Sequence, residues 1–168
     1  MPLIRALPGV RSLWIRWLAL RNEVGKRQPT QVEPGIWIGG LPTPRRWTVL
    51  QKVGVSHVVL LLGEVPVPAW LRDCAALLFL PVRDRTAPTK VQLEDGCRFI
   101  DDALRRGLGV AICCGSGAGR APTLYVAWRA RRTKESSDDV IRFLQGVRPV
   151  VDPTPEQRRA LTAWKVGA

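Results

Sequence analysis

Residues 114–120 read Cys-Gly-Ser-Gly-Ala-Gly-Arg, and this stretch says more about the fold than any other part of the chain. An apolar segment, Leu108 to Ile112, precedes it and has the composition of a strand, and the segment from Pro122 onward has the composition of a helix. A loop without bulky side chains can curl until its backbone N–H groups point to one centre, where the positive end of the following helix also points. The order strand, glycine-rich loop, helix therefore predicts an anion-binding loop.

The two ends of this loop carry reactive groups, the Cys114 thiol and the Arg120 guanidinium. Between them stand five residues with small side chains or none, which we predict to bind phosphate together with Arg120: Gly115, Ser116, Gly117, Ala118 and Gly119. A phosphate at the loop centre would lie above the sulfur and accept two hydrogen bonds from the planar guanidinium. The alternative is a structural turn with a buried cysteine, because cysteine is often buried in proteins.

Around this loop the chain alternates between strand-like and helix-like segments. We predict strands at 36–38, 56–62, 77–82 and 108–112, and helices at 44–53, 90–104, 122–132, 137–147 and 155–165. Thr89 with Gln92, and Thr154 with Gln157, are typical of capped helix starts. Strand–helix alternation that ends in a cluster of helices predicts an α/β fold with a small, mostly parallel central sheet flanked by helices.

The loop resembles the signature His-Cys-x-x-Gly-x-x-Arg-Ser/Thr of the protein tyrosine phosphatase superfamily, with Cys114, Gly117 and Arg120 at its three core positions. The resemblance implies that Cys114 is the nucleophile, which takes up the phosphoryl group as a thiophosphate, and that Arg120 binds the transition state. Two flanking positions differ, because Cys113 replaces the histidine and Ala121 replaces the Ser or Thr. In the family that hydroxyl assists hydrolysis of the intermediate, so the departures bear on turnover more than on phosphate binding.

The resemblance extends over about residues 34 to 165 and is to the dual-specificity branch of the superfamily, whose shallow pockets accept phosphoserine and phosphothreonine as well as phosphotyrosine. The segments 35–42, 54–59 and 81–84 carry it together with the loop. It implies a dual-specificity phosphatase-like fold and a cysteine-dependent phosphatase. No metal or other cofactor is expected, because Arg120 and backbone dipoles meet the charge of the transition state.

The general acid of this family is an aspartate on a loop about thirty residues before the cysteine, and Asp84 occupies that place after the predicted strand 77–82. An acid there would protonate the leaving oxygen and then take a proton from the attacking water. The alternative is an exposed Asp84 that pairs with Arg83 or Arg85.

The cysteines at 74, 97, 113 and 114 lack the spacing of a metal site. A disulfide between Cys113 and Cys114 is not expected, because adjacent Cα atoms lie only about 3.8 Å apart, below the usual disulfide range. Reduced thiols fit a cytoplasmic location. We expect Cys113 to be a small buried side chain at the end of its strand.

The chain carries 26 basic and 14 acidic residues, for a net charge of +12. Such a surface attracts polyanions, namely phosphorylated substrates, anionic lipid headgroups or nucleic acid; the alternative is that the charge serves solubility. No segment resembles a helix-turn-helix, a zinc finger or an aromatic RNA-binding motif. Nucleic acid is therefore not an expected partner, and a phosphorylated protein or phospholipid is.

Residues 1–30 differ from the remainder, because tryptophans and leucines are interleaved with arginines. A helix over about 10 to 24 would have a broad apolar face with basic flanks, which is typical of a helix at a membrane surface. This predicts peripheral contact of residues 10–27 with an anionic membrane; the alternative is a helix that packs its tryptophans on the core. We divide the chain into a basic amphipathic segment, 1–30, and a phosphatase domain, 31–168.

The substrate is left open between two classes, with a phosphoprotein as the first. Phosphatidylglycerophosphate phosphatases of the same group have a basic, apolar N-terminal segment before a Gly-x-Leu-Pro stretch like the one at 39–42, which favours a phospholipid, either phosphatidylglycerophosphate or a phosphoinositide. The departures at Cys113 and Ala121 keep a third alternative, a weakly active or inactive phosphate-binding pseudophosphatase.

Overall fold

A five-stranded sheet with helices on both faces organises residues 28–166, the part of the chain that this computed structural model describes. The strands are β1 (Thr30–Glu33), β2 (Ile36–Gly40), β3 (Val55–Leu61), β4 (Ala76–Leu80) and β5 (Gly109–Cys114). The helices are α1 (Pro44–Lys52), α2 (Lys90–Arg105), α3 (Arg120–Thr133), α4 (Ser137–Val147) and α5 (Pro155–Val166), and a turn of 3-10 helix spans Ala69–Leu71. The strand order is β1-β2-β5-β3-β4, with β1 and β2 antiparallel and the other pairs parallel. The predicted α/β class and mostly parallel sheet are confirmed.

The first strand is a feature that sequence analysis missed. No strand was predicted before residue 36, yet Thr30–Glu33 pairs with β2, with Thr30 opposite Ile38. A four-residue polar strand between two prolines carries too little alternation of apolar and polar residues to be recognised. The predicted helix at 10–24 lies outside the described residues. None of the helices within 28–166 is long and apolar enough to cross a bilayer.

Strand β5 lies in the middle of the sheet, and its successive side chains point alternately into two cores, one on each face of the sheet. Ile112 and Cys114 face a core beneath α2, α3, α4 and α5, whereas Ala111 and Cys113 face a second core that contains Trp47 of α1. Burial raises the pKa of the Cys113 thiol to about 12. Cys113 is thus a buried strand residue, as expected, and it lies on the opposite face of the sheet from Cys114.

The two predicted helix starts are capped as expected. The Thr89 hydroxyl accepts the Gln92 N–H at 3.2 Å, and the Thr89 N–H donates to the Gln92 side chain at 2.9 Å. The same reciprocal pair joins Thr154 and Gln157, at 3.3 and 2.9 Å. Each pair satisfies backbone donors that the first helical turn leaves without partners.

The strand before the glycine-rich loop ends later than predicted, and the helix after it begins earlier. Strand β5 continues to Cys114 and helix α3 begins at Arg120, so that residues 115–119 alone join them. Pro122 fits in the first turn of α3 because that turn needs no backbone donor there. The loop is therefore fixed at both ends by regular structure.

Partly buried polar contacts hold helix α3 in place. The Tyr125 hydroxyl donates to Glu33 of β1 at 2.6 Å, and Arg129 donates to the same carboxylate at 2.8 Å. On the α2 side, the Trp128 indole donates to Asp101 at 2.8 Å. Since α3 starts at the glycine-rich loop, these contacts also fix where that loop ends.

Candidate active site

The Cys114 sulfur lies at the bottom of the loop that follows β5. The cysteine is fully buried, and its sulfur accepts a hydrogen bond from the Gly117 N–H at 3.2 Å. The loop thus curls over the sulfur as the sequence predicts.

The glycines of the loop are required by close packing as well as by backbone conformation. Gly117 has φ +73°, and a Cβ there would lie 2.4 Å from the Gly39 carbonyl carbon. A Cβ on Gly115 would lie 2.9 Å from the Arg120 guanidinium, and one on Gly119 would lie 2.8 Å from the Gln157 side chain. Larger residues would push the loop away from the groups that shape it.

The Arg120 side chain is 4% exposed and joins two loops that face the sulfur. Its Nη2 lies 3.0 Å from Oδ1 of Asp84, and its Nη1 donates to the Val82 carbonyl at 2.8 Å. The alternative pairing of Asp84 with Arg83 or Arg85 is wrong, because the exposed Asp84 carboxylate pairs with Arg120.

Sequence analysis missed a second carboxylate on this guanidinium. Both oxygens of Glu64, just after β3, accept from Nη1 of Arg120 at 2.9 Å. Burial tends to raise the pKa of Glu64, but the hydrogen bond and positive charge of Arg120 outweigh it and leave that pKa below its ordinary value. An acidic residue at the carboxyl end of a parallel strand was the available signal, because such ends surround the sites of α/β proteins.

Arg148, which also escaped sequence analysis, binds the loop from behind. It is buried, and its Nε and Nη2 donate to the carbonyls of Gly117 and Ser116 at 3.0 and 3.2 Å. Its Nη1 donates to the Gln28 carbonyl at 2.7 Å and the Thr30 hydroxyl at 2.8 Å. With these carbonyls turned toward Arg148, the Gly117 N–H points to the Cys114 sulfur. An isolated arginine after a helix gives no sequence signal for this role.

A cavity of about 340 Å³ opens above the sulfur, with Cys114, Arg120 and Asp84 in its walls. Of the predicted phosphate-binding residues, Ser116, Ala118 and Gly119 also line it. The remaining walls are formed by Arg85, Val150, Asp152, Thr154 and Gln157. The structure therefore brings the three predicted reactive side chains together, while Gly115 and Gly117 shape the loop behind the lining residues.

The start of α5 anchors the segment that contains Asp84. The Thr154 hydroxyl donates to the Arg85 carbonyl at 3.0 Å, and the buried Gln157 side chain donates to the Thr86 carbonyl at 2.9 Å. The Ala87 N–H donates to Glu156 at 3.0 Å. Three contacts with one helix end hold Asp84 at the mouth of the cavity.

A strand–loop–helix that carries a cysteine and an arginine around one cavity, on a mostly parallel sheet, defines the class of cysteine-dependent phosphatases. The family model for the dual specificity phosphatase catalytic domain matches residues 36–166, and the chain belongs to this family. The predicted superfamily and its dual-specificity branch are confirmed.

The comparisons with individual proteins agree with this assignment. The chain is 26% identical over 128 residues to the MAP kinase phosphatase with leucine-rich repeats protein 3 of Dictyostelium discoideum. The match covers 76% of this chain and 15% of that protein. The chain spans less than two thirds of the length of the curated relatives it matches first. The crystal structure of Tk-PTP in its active form has a TM-score of 0.77 and 26% identity, covering 84% of this chain and 98% of the other.

The fold is also that of PTPMT1 in complex with PI(5)P. This structure has a TM-score of 0.73 and 20% identity, and the match covers 82% of this chain and 94% of the other. At that identity the likeness concerns the fold alone.

Proposed function

We propose that this chain hydrolyses phosphomonoesters through a thiophosphate on Cys114, as a phosphatase of the dual-specificity type. The observation that carries the proposal is the buried Cys114 sulfur at the base of a cavity whose walls include Arg120 and Asp84. A nucleophile, an anion-binding cation and an acid around one small cavity are the groups that phosphoryl transfer through an enzyme thiol needs.

In the first step the Cys114 thiolate attacks phosphorus, and the sulfur–phosphorus bond forms as the ester oxygen–phosphorus bond breaks. The Asp84 carboxyl gives its proton to the leaving oxygen, which departs as an alcohol or phenol. The backbone N–H groups of residues 115–119 and the Arg120 guanidinium hold the phosphoryl oxygens. These donors supply the charge stabilisation that the transition state requires.

In the second step a water molecule attacks the thiophosphate, and its proton passes to the Asp84 carboxylate. The phosphorus–sulfur bond breaks, the Cys114 thiolate is restored, and inorganic phosphate leaves. Ala121 offers no hydroxyl to the departing sulfur, and the Thr123 hydroxyl already donates to the Gly119 carbonyl at 2.9 Å. We therefore propose that this second step limits turnover.

Substrate binding changes the partners of Arg120. In the free protein, Nη2 of Arg120 faces Asp84 and Nη1 faces Glu64. An incoming phosphate competes for Nη2, which separates Asp84 from the guanidinium and makes its carboxyl available to the leaving oxygen. Glu64 still accepts the hydrogen bonds from Nη1 and so maintains the orientation of the guanidinium.

The first substrate class is the phosphoprotein, with phosphate on tyrosine, serine or threonine, and it is supported by the protein phosphatases among the relatives. The second is a phospholipid, supported by the basic, apolar residues 10–27, whose composition is typical of a helix at a membrane surface. We also propose that the phosphatase domain comprises residues 31–168 and that residues 10–27 contact anionic membranes peripherally. The proposed location is the cytoplasm, where reducing conditions keep Cys114 a thiol.

The test compares two neighbouring cysteines on p-nitrophenyl phosphate. Cys114→Ser should abolish turnover, because a hydroxyl is a far weaker nucleophile than a thiolate, while Cys113→Ser should keep most activity since Cys113 lies on the other face of the sheet. Inorganic phosphate should still protect both variants against unfolding. Equal losses in the two variants, or turnover by Cys114→Ser, would contradict the proposal.

A further inference from the structure

Two helix-capping glutamines donate to the segment that carries the proposed general acid. We call residues 81–87, which follow strand β4, the acid segment. The Gln92 side chain of α2 donates to the Pro81 carbonyl at 3.2 Å. The Gln157 side chain of α5 donates to the Thr86 carbonyl at 2.9 Å. The acid segment is therefore tied to one helix start before the acid and to another after it.

The end of the acid segment nearest to β4 has other supports besides Gln92. The carbonyl of Leu80, the last residue of β4, accepts a hydrogen bond from the Leu62 N–H at 3.1 Å. The Val82 carbonyl accepts one from Nη1 of Arg120 at 2.8 Å. We therefore expect this end of the segment to keep its place when Gln92 loses its amide.

The other end of the acid segment depends on the start of α5. The Arg85 carbonyl accepts from the Thr154 hydroxyl at 3.0 Å, and the next carbonyl along the chain accepts from Gln157. Arg85 itself has φ +64°, in the left-handed region that residues with a Cβ rarely occupy. Such a conformation persists where surrounding contacts fix it. The contacts with α5 thus hold a turn that the chain would not favour on its own.

Gln157 also contacts the glycine-rich loop. Its side chain is 1% exposed, and a Cβ on Gly119 would lie 2.8 Å from its Oε1 and 3.2 Å from its Nε2. Close by, the Asp152 N–H donates to the Ala118 carbonyl at 2.8 Å and ties the approach to α5 to the same loop. One buried amide therefore contacts both the loop that would bind phosphate and the segment that carries the acid, and it fixes their separation.

This double contact matters most when phosphate is bound. In the free protein, Nη2 of Arg120 holds Asp84 directly at 3.0 Å. In the proposed mechanism an incoming phosphate takes over that nitrogen, so the acid must stay near the leaving oxygen without this partner. The hydrogen bonds from Gln157 and Thr154 do not involve the guanidinium, and they can therefore persist in the complex.

We propose that Gln157 is a positioning residue, which keeps the Asp84 carboxyl at the leaving oxygen after phosphate has displaced it from Arg120; this inference rests on the proposed function. Gln157 gives no proton and takes none, and it acts through Asp84. Its removal should therefore slow proton transfer to the leaving group, with little effect on phosphate binding. A displacement of about 1 Å in an active site can lower a rate on the order of 10²-fold.

The first test compares the two glutamines, which cap their helices in the same way. Gln157→Met removes the amide at similar side-chain size, and Gln92→Met is the matched control because it removes the equivalent cap and a bond to the same segment. Gln157→Met should lose about thirtyfold in rate on an alkyl phosphate but at most about threefold on p-nitrophenyl phosphate. Gln92→Met should match the wild type on both esters. The inhibition constant of inorganic phosphate should stay the same in both variants.

The second test asks whether Gln157 acts through Asp84. In an Asp84→Asn background the acid is already missing, so the addition of Gln157→Met should cost little further rate on the alkyl phosphate. A residue that only stabilises the fold would lower the rate by the same factor with and without the acid. Gln92→Met in the same background is again the control.

The outcomes separate the positioning role from the proposed function. Equal losses of Gln157→Met on both esters, or its full loss repeated in the Asp84→Asn background, would assign its effect to the glycine-rich loop or to stability. Wild-type rates in Gln157→Met would show that the acid is held without it. Either result, with a selective loss in Asp84→Asn alone, would overturn the positioning role and leave the proposed function standing. Equal losses of Asp84→Asn itself on both esters would contradict the acid role and the positioning role together.

Discussion

Nη2 of Arg120 holds Oδ1 of Asp84 at 3.0 Å across the mouth of the cavity. One of these residues starts helix α3 and the other follows strand β4, so their contact joins the glycine-rich loop to the loop of the proposed acid. A phosphate that enters the cavity meets the same guanidinium. We therefore propose that phosphate binding and release of the proposed acid are coupled through this one side chain.

The proposed acid role of Asp84 predicts a dependence on the leaving group. Asp84→Asn should lower the rate on an alkyl phosphate about 10²–10⁴-fold, because an alkoxide needs a proton to depart. The loss should be much smaller on an activated aryl phosphate, whose phenoxide leaves unaided. Steady-state rates on a series of such esters provide the measurement, and an equal loss throughout would mean that Asp84 only holds its loop.

The lowered pKa of Glu64 predicts a pH-dependent contribution to stability. Its ordinary value is 4.5, and a folded-state pKa below this value means that the ion pair with Arg120 stabilises the fold above about pH 4.5. That stabilisation is lost as the pH falls through the lowered pKa. Glu64→Gln should therefore melt below the wild type at neutral pH, and the difference in Tm should shrink in acid. A difference that stays constant with pH would rule out the ionised pair as its source.

Glu64→Gln should also affect catalysis, since Glu64 orients the guanidinium. We expect a lower kcat/KM on p-nitrophenyl phosphate, with weaker protection by inorganic phosphate against unfolding. Glu135→Gln is the matched control, because Glu135 pairs with Arg129 on the far side of the domain. A similar loss in both variants would point to general destabilisation.

The lack of a hydroxyl at Ala121 leads us to expect that the thiophosphate on Cys114 accumulates during turnover. Ala121→Ser should raise steady-state turnover and reduce the pre-steady-state burst of p-nitrophenol, because a hydroxyl beside the sulfur assists its departure. Ala121 is fully buried, so Ala121→Gly, which adds no hydroxyl, controls for altered packing. Unchanged turnover in Ala121→Ser would show that another step limits the rate or that the Ser116 hydroxyl serves instead.

Arg148 is predicted to matter for both stability and phosphate binding. Arg148→Met leaves the carbonyls of Ser116 and Gly117 without their donor, which should cost about 1–3 kcal/mol in the free energy of unfolding measured with urea. The KM for p-nitrophenyl phosphate should rise because the loop loses its support. Arg159→Met, an exposed change on α5, should alter neither. Normal KM in Arg148→Met would mean that the loop keeps its shape without this contact.

The parts predictable from sequence were those fixed by local interactions. Residues 114–120 determine the loop through glycines and a short link between strand and helix, and the caps at Thr89 and Thr154 depend on side chains three residues away. Glu64 and Arg148 were not predictable because they meet the site only after folding, across 56 residues to Arg120 and 31 to Gly117. Strand β1 was missed for a related reason, since its pairing with β2, more than its own composition, makes it a strand.

The central claim is the covalent step on Cys114, and trapping the intermediate tests it most directly. The protein is mixed with excess p-nitrophenyl phosphate, quenched in acid within one turnover, digested, and examined by peptide mass spectrometry. We predict one phosphoryl group on the peptide that contains Cys113 and Cys114, with fragmentation placing it on Cys114 and with no label in Cys114→Ser. Turnover without this label, or a label on Cys113, would contradict the account.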